Sequence, residues 1–175
     1  GNAVAVTYTL NAYFGAKVMA PGTGFFLNDE MDDFTTRPGA ANLFGLVQGA
    51  ANAIAPGKRP LSSMSPTIVT RDGAAMLVLG SPGGPRIITA VLEAILNVVD
   101  HGMDLQEAVD APRLHLQFLP DRLFVERFAL SPDTARLLTQ MGYAIEEQAP
   151  WGAVEGIMVG APARRSGLSS PGDDA

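Results

Sequence analysis

At 175 residues, 47% of them apolar and 17% charged, the chain fits one globular domain with a sizeable core. Its 12 basic against 18 acidic residues leave a net charge of −6, which argues against a nucleic-acid or anionic-membrane partner, since neither attracts an acidic surface. The absence of cysteine excludes a disulfide frame, a thiolate nucleophile and a Cys-ligated metal, and His101 and His115 stand too far apart for a short metal motif, so neither a metal site nor a cofactor is expected.

The sequence opens without Met, and Gly1-Asn2 reads as the end of a hairpin turn, so a piece or processed product of a longer protein is expected. Ala3 to Leu10 alternates and predicts a strand, with Val4, Val6, Tyr8 and Leu10 on a large apolar face and Ala3, Ala5, Thr7 and Thr9 on a small one. A small face lets another segment pack close. Thr9 and Asn11 at its end offer a hydroxyl and an amide, either to a ligand or only as strand former and turn cap. Asn11 to Gly24 is glycine-studded and reads as a loop with a short strand around Ala16 to Met19. The following Asn28-Asp29-Glu30-Met31-Asp32-Asp33 crowds carboxylates that repel one another unless solvated or paired with a cation. A solvated loop is the ordinary reading, and a site for a substrate ammonium the functional one.

Thr35 to Pro60 lacks periodicity and predicts a long irregular excursion with at most one short helical turn. It ends at Ser62 and Ser63, held between Pro60 and Pro66 as a preorganised donor pair for a carboxylate or carbonyl. Thr67 to Thr70 and Ala75 to Leu79 flank Asp72-Gly73 and predict a β-hairpin.

The hairpin leaves through Gly80-Ser81-Pro82-Gly83-Gly84-Pro85 into the longest apolar helix, Ile87 to Val99, expected to bury Ile88, Val91, Leu92, Ile95 and Val99 with Ile87 and Val98 widening the stripe. A strand that turns through glycines into a helix N-terminus presents unpaired N–H groups to whatever lies in front of it, and Gly83 and Gly84 remove the Cβ atoms that would keep a ligand away. No Gly-Lys-Ser/Thr follows, as a phosphate loop requires, and Leu79 stands where a nucleophile elbow needs glycine. A plain turn and an oxyanion hole for acyl chemistry both remain open.

Asp104 and Glu107 make a capping-box start for a short helix ended by Ala111-Pro112. Arg113 to Phe118 alternates, which is expected to turn His115 away from the core, and no serine here sits on an elbow for a serine–histidine–aspartate triad. Leu123 to Glu126 predicts a strand. Ser131 caps a helix with Pro132 at its first position that Gly142 stops, and strands Tyr143 to Glu147 and Val154 to Val159 follow. Residues 161–175 have no period and are expected to be a disordered tail. The order argues α+β or a layered sandwich of antiparallel-type strands rather than a βαβ wound fold.

Thr7-Tyr8-Thr9-Leu10-Asn11, Leu27-Asn28-Asp29-Glu30-Met31-Asp32-Asp33-Phe34, Lys58-Arg59-Pro60-Leu61-Ser62-Ser63-Met64-Ser65-Pro66-Thr67 and Gly80-Ser81-Pro82-Gly83-Gly84 together resemble the small subunit of gamma-glutamyltransferases, in the family's order, over residues 1–160. The resemblance implies a four-layer αββα sandwich of the N-terminal nucleophile hydrolase type, here without its first strand, made from an exported precursor, periplasmic or secreted, that cuts itself into large and small subunits. It implies transfer of the γ-glutamyl group of glutathione or a similar donor to water, an amino acid or a peptide, through an acyl-enzyme on an N-terminal threonine. By the same resemblance Gly83 and Gly84 form the oxyanion hole, Ser62 and Ser63 hold the donor's α-carboxylate together with an arginine of the large subunit, Asn11, Glu30 and Asp33 surround its α-amino group, and Thr9 supports the nucleophile. An N-terminal threonine can use its own amine as base, so no histidine is needed. The attacking threonine is expected ahead of Gly1, leaving this chain alone inactive, and the family's last hairpin is expected to be shortened after Val159. The alternatives are a glutaryl- or cephalosporin-type acylase, whose substrate lacks the ammonium that Glu30 and Asp33 suit, and a non-catalytic fragment that only binds.

Overall fold

The computed structural model describes residues 1–160; the expected tail and the expected shortening of the last hairpin lie outside the described residues. The first sheet is built on the hairpin of β1 (Thr67–Arg71) and β2 (Ala74–Gly80). Asp72 and Gly73 join the strands with φ of 52° and 80°, the left-handed geometry whose twist matches that of the strands it connects. β6 (Glu155–Met158) pairs antiparallel with the other edge of β2, giving the order β1-β2-β6.

α1 (Arg86–Val99) lies on this sheet and packs Ile87, Ala90, Val91 and Ala94 against Leu77 and Leu79 of β2 and against Val154. Each large apolar side chain fully buried here contributes on the order of 1.5–3 kcal/mol. α2 (Leu105–Asp110) closes the same core with Leu105 and Val109. Its capping box forms as expected, with Glu107 N–H donating to Asp104 Oδ1 at 2.8 Å and Asp104 N–H to Glu107 Oε2 at 3.0 Å.

The second sheet contains β3 (Leu114–Gln117), β4 (Arg122–Glu126) and β5 (Ile145–Gln148). β3 and β4 are antiparallel, but β4 and β5 run parallel, with α3 (Pro132–Gln140) as the crossover between them. The purely antiparallel expectation therefore fails here, because a connection that carries a helix returns the chain in the direction a tight hairpin cannot. α1 ties the two sheets together: Thr89 Oγ1 lies 2.9 Å from His115 Nδ1, and Leu114 N–H donates to Glu93 Oε1 at 2.9 Å.

Three further expectations are corrected. Residues 3–10 are extended but join no ladder among the described residues; their small face is half-buried, whereas Val4, Val6 and Tyr8 stand exposed. The small residues are the ones that fit against the sheet end, where Thr7 Oγ1 lies within 3.4 Å of the position a Cβ on Gly80 would take. On α1 the inner stripe is Ile87, Ala90, Val91 and Ala94, and Ile88, Leu92 and Val99 are exposed, because small alanines let the helix approach β2 along that line. His115 is buried, its ring parallel to Phe124 and both its nitrogens bonded to side chains, so the polar side of β3 faces α1 rather than solvent. The short strand around Ala16 to Met19 is realised as a hairpin-like pairing with residues 25–27, in which Ala16 N–H donates to Leu27 O and Leu27 N–H to Val18 O.

Candidate active site

All eight residues singled out in the sequence line one cavity of about 1490 Å³: Thr9, Asn11, Glu30, Asp33, Ser62, Ser63, Gly83 and Gly84. They arrive from four separate segments, so each segment's route into the cavity needs its own physical account.

The acidic segment forms a 3-10 turn, Glu30–Asp33, pinned on both sides by its neighbours. Asp29 accepts the Ala12 N–H on Oδ1 at 3.0 Å and the Asn11 amide on its carbonyl at 3.3 Å, tying the end of the N-terminal segment to the acidic turn. Asn11 takes φ 73°, a left-handed conformation that asparagine tolerates, and its N–H donates to Thr9 Oγ1 at 2.8 Å. Asp32 is occupied by the Leu43 N–H at 3.0 Å. Two of the four carboxylates thus serve the backbone, and Glu30 and Asp33 are left half-buried in the cavity wall. Burial, and then the neighbouring Asp33, push the Glu30 carboxyl up to about 7, and burial raises Asp33 as well. Carboxyls raised in this way ionise less readily without a cation beside them, and a ligand ammonium is a group that would supply that charge.

The serine pair is held at the far end of the long excursion. Asn52 links the two ends of the site: its Nδ2 donates to Asp33 O at 2.6 Å and its Oδ1 accepts the Leu61 N–H at 2.9 Å. Ser62 Oγ accepts the Met64 N–H at 3.2 Å, which leaves its own O–H to donate. The short 3-10 turn Ala50–Asn52 presents Asn52 and fits the expectation of at most one short helical turn in this excursion.

The glycine turn adopts geometry that other residues resist, with φ of 141° at Gly83 and 58° at Gly84. Arg86 N–H and Ile87 N–H bond back to the carbonyls of Gly83 and Gly84, and among the described residues no acceptor takes the Gly83 or Gly84 N–H. Phe44, from the excursion, lies over Gly84. The cavity wall therefore combines carboxylates, hydroxyl donors and free N–H groups from separate segments, a set suited to a zwitterionic acyl donor.

Sequence reasoning did not single out Asn52, Phe44, Arg86 or Trp151, all of which touch this site or its walls. Phe44 and Asn52 sit in a stretch with no period to flag them. Trp151 carried a signal that was available, a lone tryptophan between Pro150 and Gly152.

A family model described as gamma-glutamyltranspeptidase matches residues 1–173. The chain is 61% identical over 162 residues to a glutathione hydrolase proenzyme of Pseudomonas sp. (strain A14), covering 93% of this chain and 28% of that protein. It is 53% identical over 171 residues to a glutathione hydrolase proenzyme of Escherichia coli (strain K12), covering 98% of this chain and 29% of that protein. The solved structure of a mutant Helicobacter pylori gamma-glutamyltranspeptidase matches with a TM-score of 0.90 and 54% identity, over 94% of this chain and 88% of that one. The chain spans less than a third of the length of these curated relatives.

Proposed function

The chain belongs to the gamma-glutamyltranspeptidase family and has its α+β, N-terminal nucleophile hydrolase fold, and from that premise we propose that the intact protein transfers or hydrolyses the γ-glutamyl group of glutathione and related γ-glutamyl amides. A threonine ahead of Gly1, freed as an N-terminus by cleavage of the precursor, attacks the γ-carbonyl while its own amine takes the hydroxyl proton. The Gly83 and Gly84 N–H groups receive the charge that develops on the carbonyl oxygen. The amine leaves with a proton, and water or the amino group of an amino acid or peptide then attacks the acyl-enzyme and frees the threonine.

In this reading the half-buried pair Glu30 and Asp33, with Asn11, holds the donor's α-ammonium, Ser62 and Ser63 hold its α-carboxylate, and Thr9 supports the nucleophile. The large subunit of the same precursor completes the site with a cation for the α-carboxylate. A periplasmic or secreted location is part of the same proposal, supported by the family to which the chain belongs.

The observation that carries this is the convergence of four sequence-distant segments on one cavity, with carboxylates, hydroxyls and free N–H groups matched to the charges of a γ-glutamyl donor. The test is expression of the full precursor and assay of the purified product with paired chromogenic anilides, one γ-glutamyl and one glutaryl. Release from the γ-glutamyl anilide with little from the glutaryl one is expected; the reverse preference would indicate an acylase, and no release from either a binding protein.

A further inference from the structure

An oxyanion hole works only if its donors are aimed before the charge forms, yet the turn that carries Gly83 and Gly84 has little to hold itself. Glycine has the freest backbone of any residue, and α1 begins at Pro85 without a side-chain cap. The restraint comes from outside the turn. Arg86, the first residue of α1, sits in the cavity wall between two rings that also line it, its guanidinium carbon 4.6 Å from the Trp151 ring centroid and 5.1 Å from that of Phe124. Its Nη2 donates to Gln148 Oε1.

Trp151 is in turn held by its backbone, its N–H donating at 2.9 Å to Oε1 of Glu126, a buried carboxylate whose other oxygen accepts the Arg113 N–H at 3.1 Å. The next residue, Gly152, has φ 71° and lies so close to the turn that a Cβ there would sit 3.1 Å from Ser81 Oγ and 3.3 Å from Pro82 O. Ala153 N–H reaches Ser81 Oγ at 3.4 Å. The glycine turn is thus gripped at both of its ends, at Ser81-Pro82 by Gly152 and Ala153 of the loop that follows β5, and at Arg86 by Phe124 of β4, Gln148 of β5 and Trp151 of that loop.

We propose that Arg86, clamped between Trp151 and Phe124, is a positioning residue that aims the Gly83 and Gly84 N–H groups, and that Glu126 supports it by fixing the Trp151 backbone. The proposal rests on the γ-glutamyl-transfer reading for its catalytic consequence, and on the clamp geometry alone for its structural one. Guanidinium stacking on aromatic faces needs a planar cation and a ring, so the ring of Trp151 matters here and its indole N–H does not.

The test uses the full precursor, matured and purified, as Arg86→Ala, Trp151→Ala, Trp151→Phe and Glu126→Ala variants, with steady-state kinetics on a chromogenic γ-glutamyl anilide and hydrogen exchange on the same samples. Arg86→Ala and Trp151→Ala are expected to lower kcat by about tenfold or more with KM held within about twofold, because misaimed donors weaken the transition state and leave ground-state binding intact. Trp151→Phe is expected to retain most of the wild-type kcat. Exchange of the Arg86, Ile87 and Ala153 amides is expected to quicken in Arg86→Ala, Trp151→Ala and Glu126→Ala and to stay slow in Trp151→Phe. An unchanged kcat in both alanine variants at positions 86 and 151 would overturn the proposal, as would an equal loss in Trp151→Phe. If Arg86→Ala fails to mature, the comparison of Trp151→Ala with Trp151→Phe decides. If the wild-type enzyme shows no γ-glutamyl turnover, the functional reading fails instead, and unaltered exchange in the alanine variants would separately overturn the clamp.

Discussion

The Phe44 ring lies against Gly84 so closely that a Cβ on that glycine would stand 2.9 Å from Phe44 Cε1 and 3.0 Å from Cδ1. Backbone conformation disfavours a side chain there as well, since the φ of 58° at Gly84 is left-handed and strains most other residues. Gly84→Ala must therefore move the turn, the ring or both, and a displaced N–H donor is expected to cost about a hundredfold in kcat. Pairing it with Phe44→Ala separates the two causes: the double variant should recover part of the loss if the ring is the obstacle. No recovery would assign the loss to the backbone. Steady-state kinetics on the matured enzyme measure both.

If Glu30 holds the donor as proposed, its carboxyl, raised to about 7, predicts pH-dependent donor binding. A cation binds the deprotonated carboxylates, so binding of the α-ammonium expels the proton held on Glu30, and affinity rises as pH increases through about 7. KM for a γ-glutamyl donor should fall between pH 6 and 8, and Glu30→Gln should flatten that profile. Asp33→Asn should raise KM throughout. A KM left unchanged by Asp33→Asn would remove Asp33 from ammonium recognition.

Outside the site, Glu93 carries a similar imbalance with a structural consequence. One of its oxygens accepts the Leu114 N–H, the other is buried without a partner, and burial pushes its carboxyl up to about 7. Because the folded state holds the proton more tightly than the unfolded chain, the stability this group contributes is full below its ordinary value near 4.5 and is lost as pH rises through about 7. Glu93→Gln keeps an acceptor for Leu114 and removes the charge, so it should raise Tm at pH 8 and change it little at pH 4. A Tm gain of equal size at both pH values would contradict this.

Much of this architecture was legible because local chemistry and final structure agree. The Asp72-Gly73 hairpin, the Asp104–Glu107 capping box and the Ser131 cap with Pro132 each depend on residues a few positions apart, and each forms where expected. The eight residues that come together in the cavity wall stood out in the sequence as short motifs. What periodicity missed depends on partners distant in sequence. His115 alternates as a surface residue would, and is buried because Thr89 and Gln117 satisfy both ring nitrogens. Residues 3–10 alternate as a strand would, yet form no ladder among the described residues. A ladder needs a neighbouring strand, and that is a property of the surroundings rather than of the segment.

Asn52 sets a last expectation, because its side chain bonds toward both ends of the proposed donor site. Its Nδ2 holds the Asp33 carbonyl at 2.6 Å and its Oδ1 holds the Leu61 N–H at 2.9 Å, next to Ser62. Neither bond touches the glycine turn, so removing them should loosen the spacing between the ammonium and carboxylate subsites and leave the oxyanion donors in place. Asn52→Ala also removes the bond from Nδ2 to Gln48 Oε1; of the three, the two that reach the site are worth about 2 kcal/mol together, of which the part felt by the ligand corresponds to roughly a tenfold rise in KM. Asn52→Ala should therefore raise KM for a γ-glutamyl donor by about that factor with kcat reduced far less, which is the opposite split from Gly84→Ala. Asn52→Asp keeps the acceptor for Leu61, loses the donor to Asp33 and adds a negative charge beside the acidic pair, so the carboxyls of Glu30 and Asp33 should rise further and the KM profile should shift to higher pH. If Asn52→Ala lowered kcat and left KM alone, the excursion would act on the chemistry and not on donor binding, and the two-ended anchor would be the wrong description of Asn52.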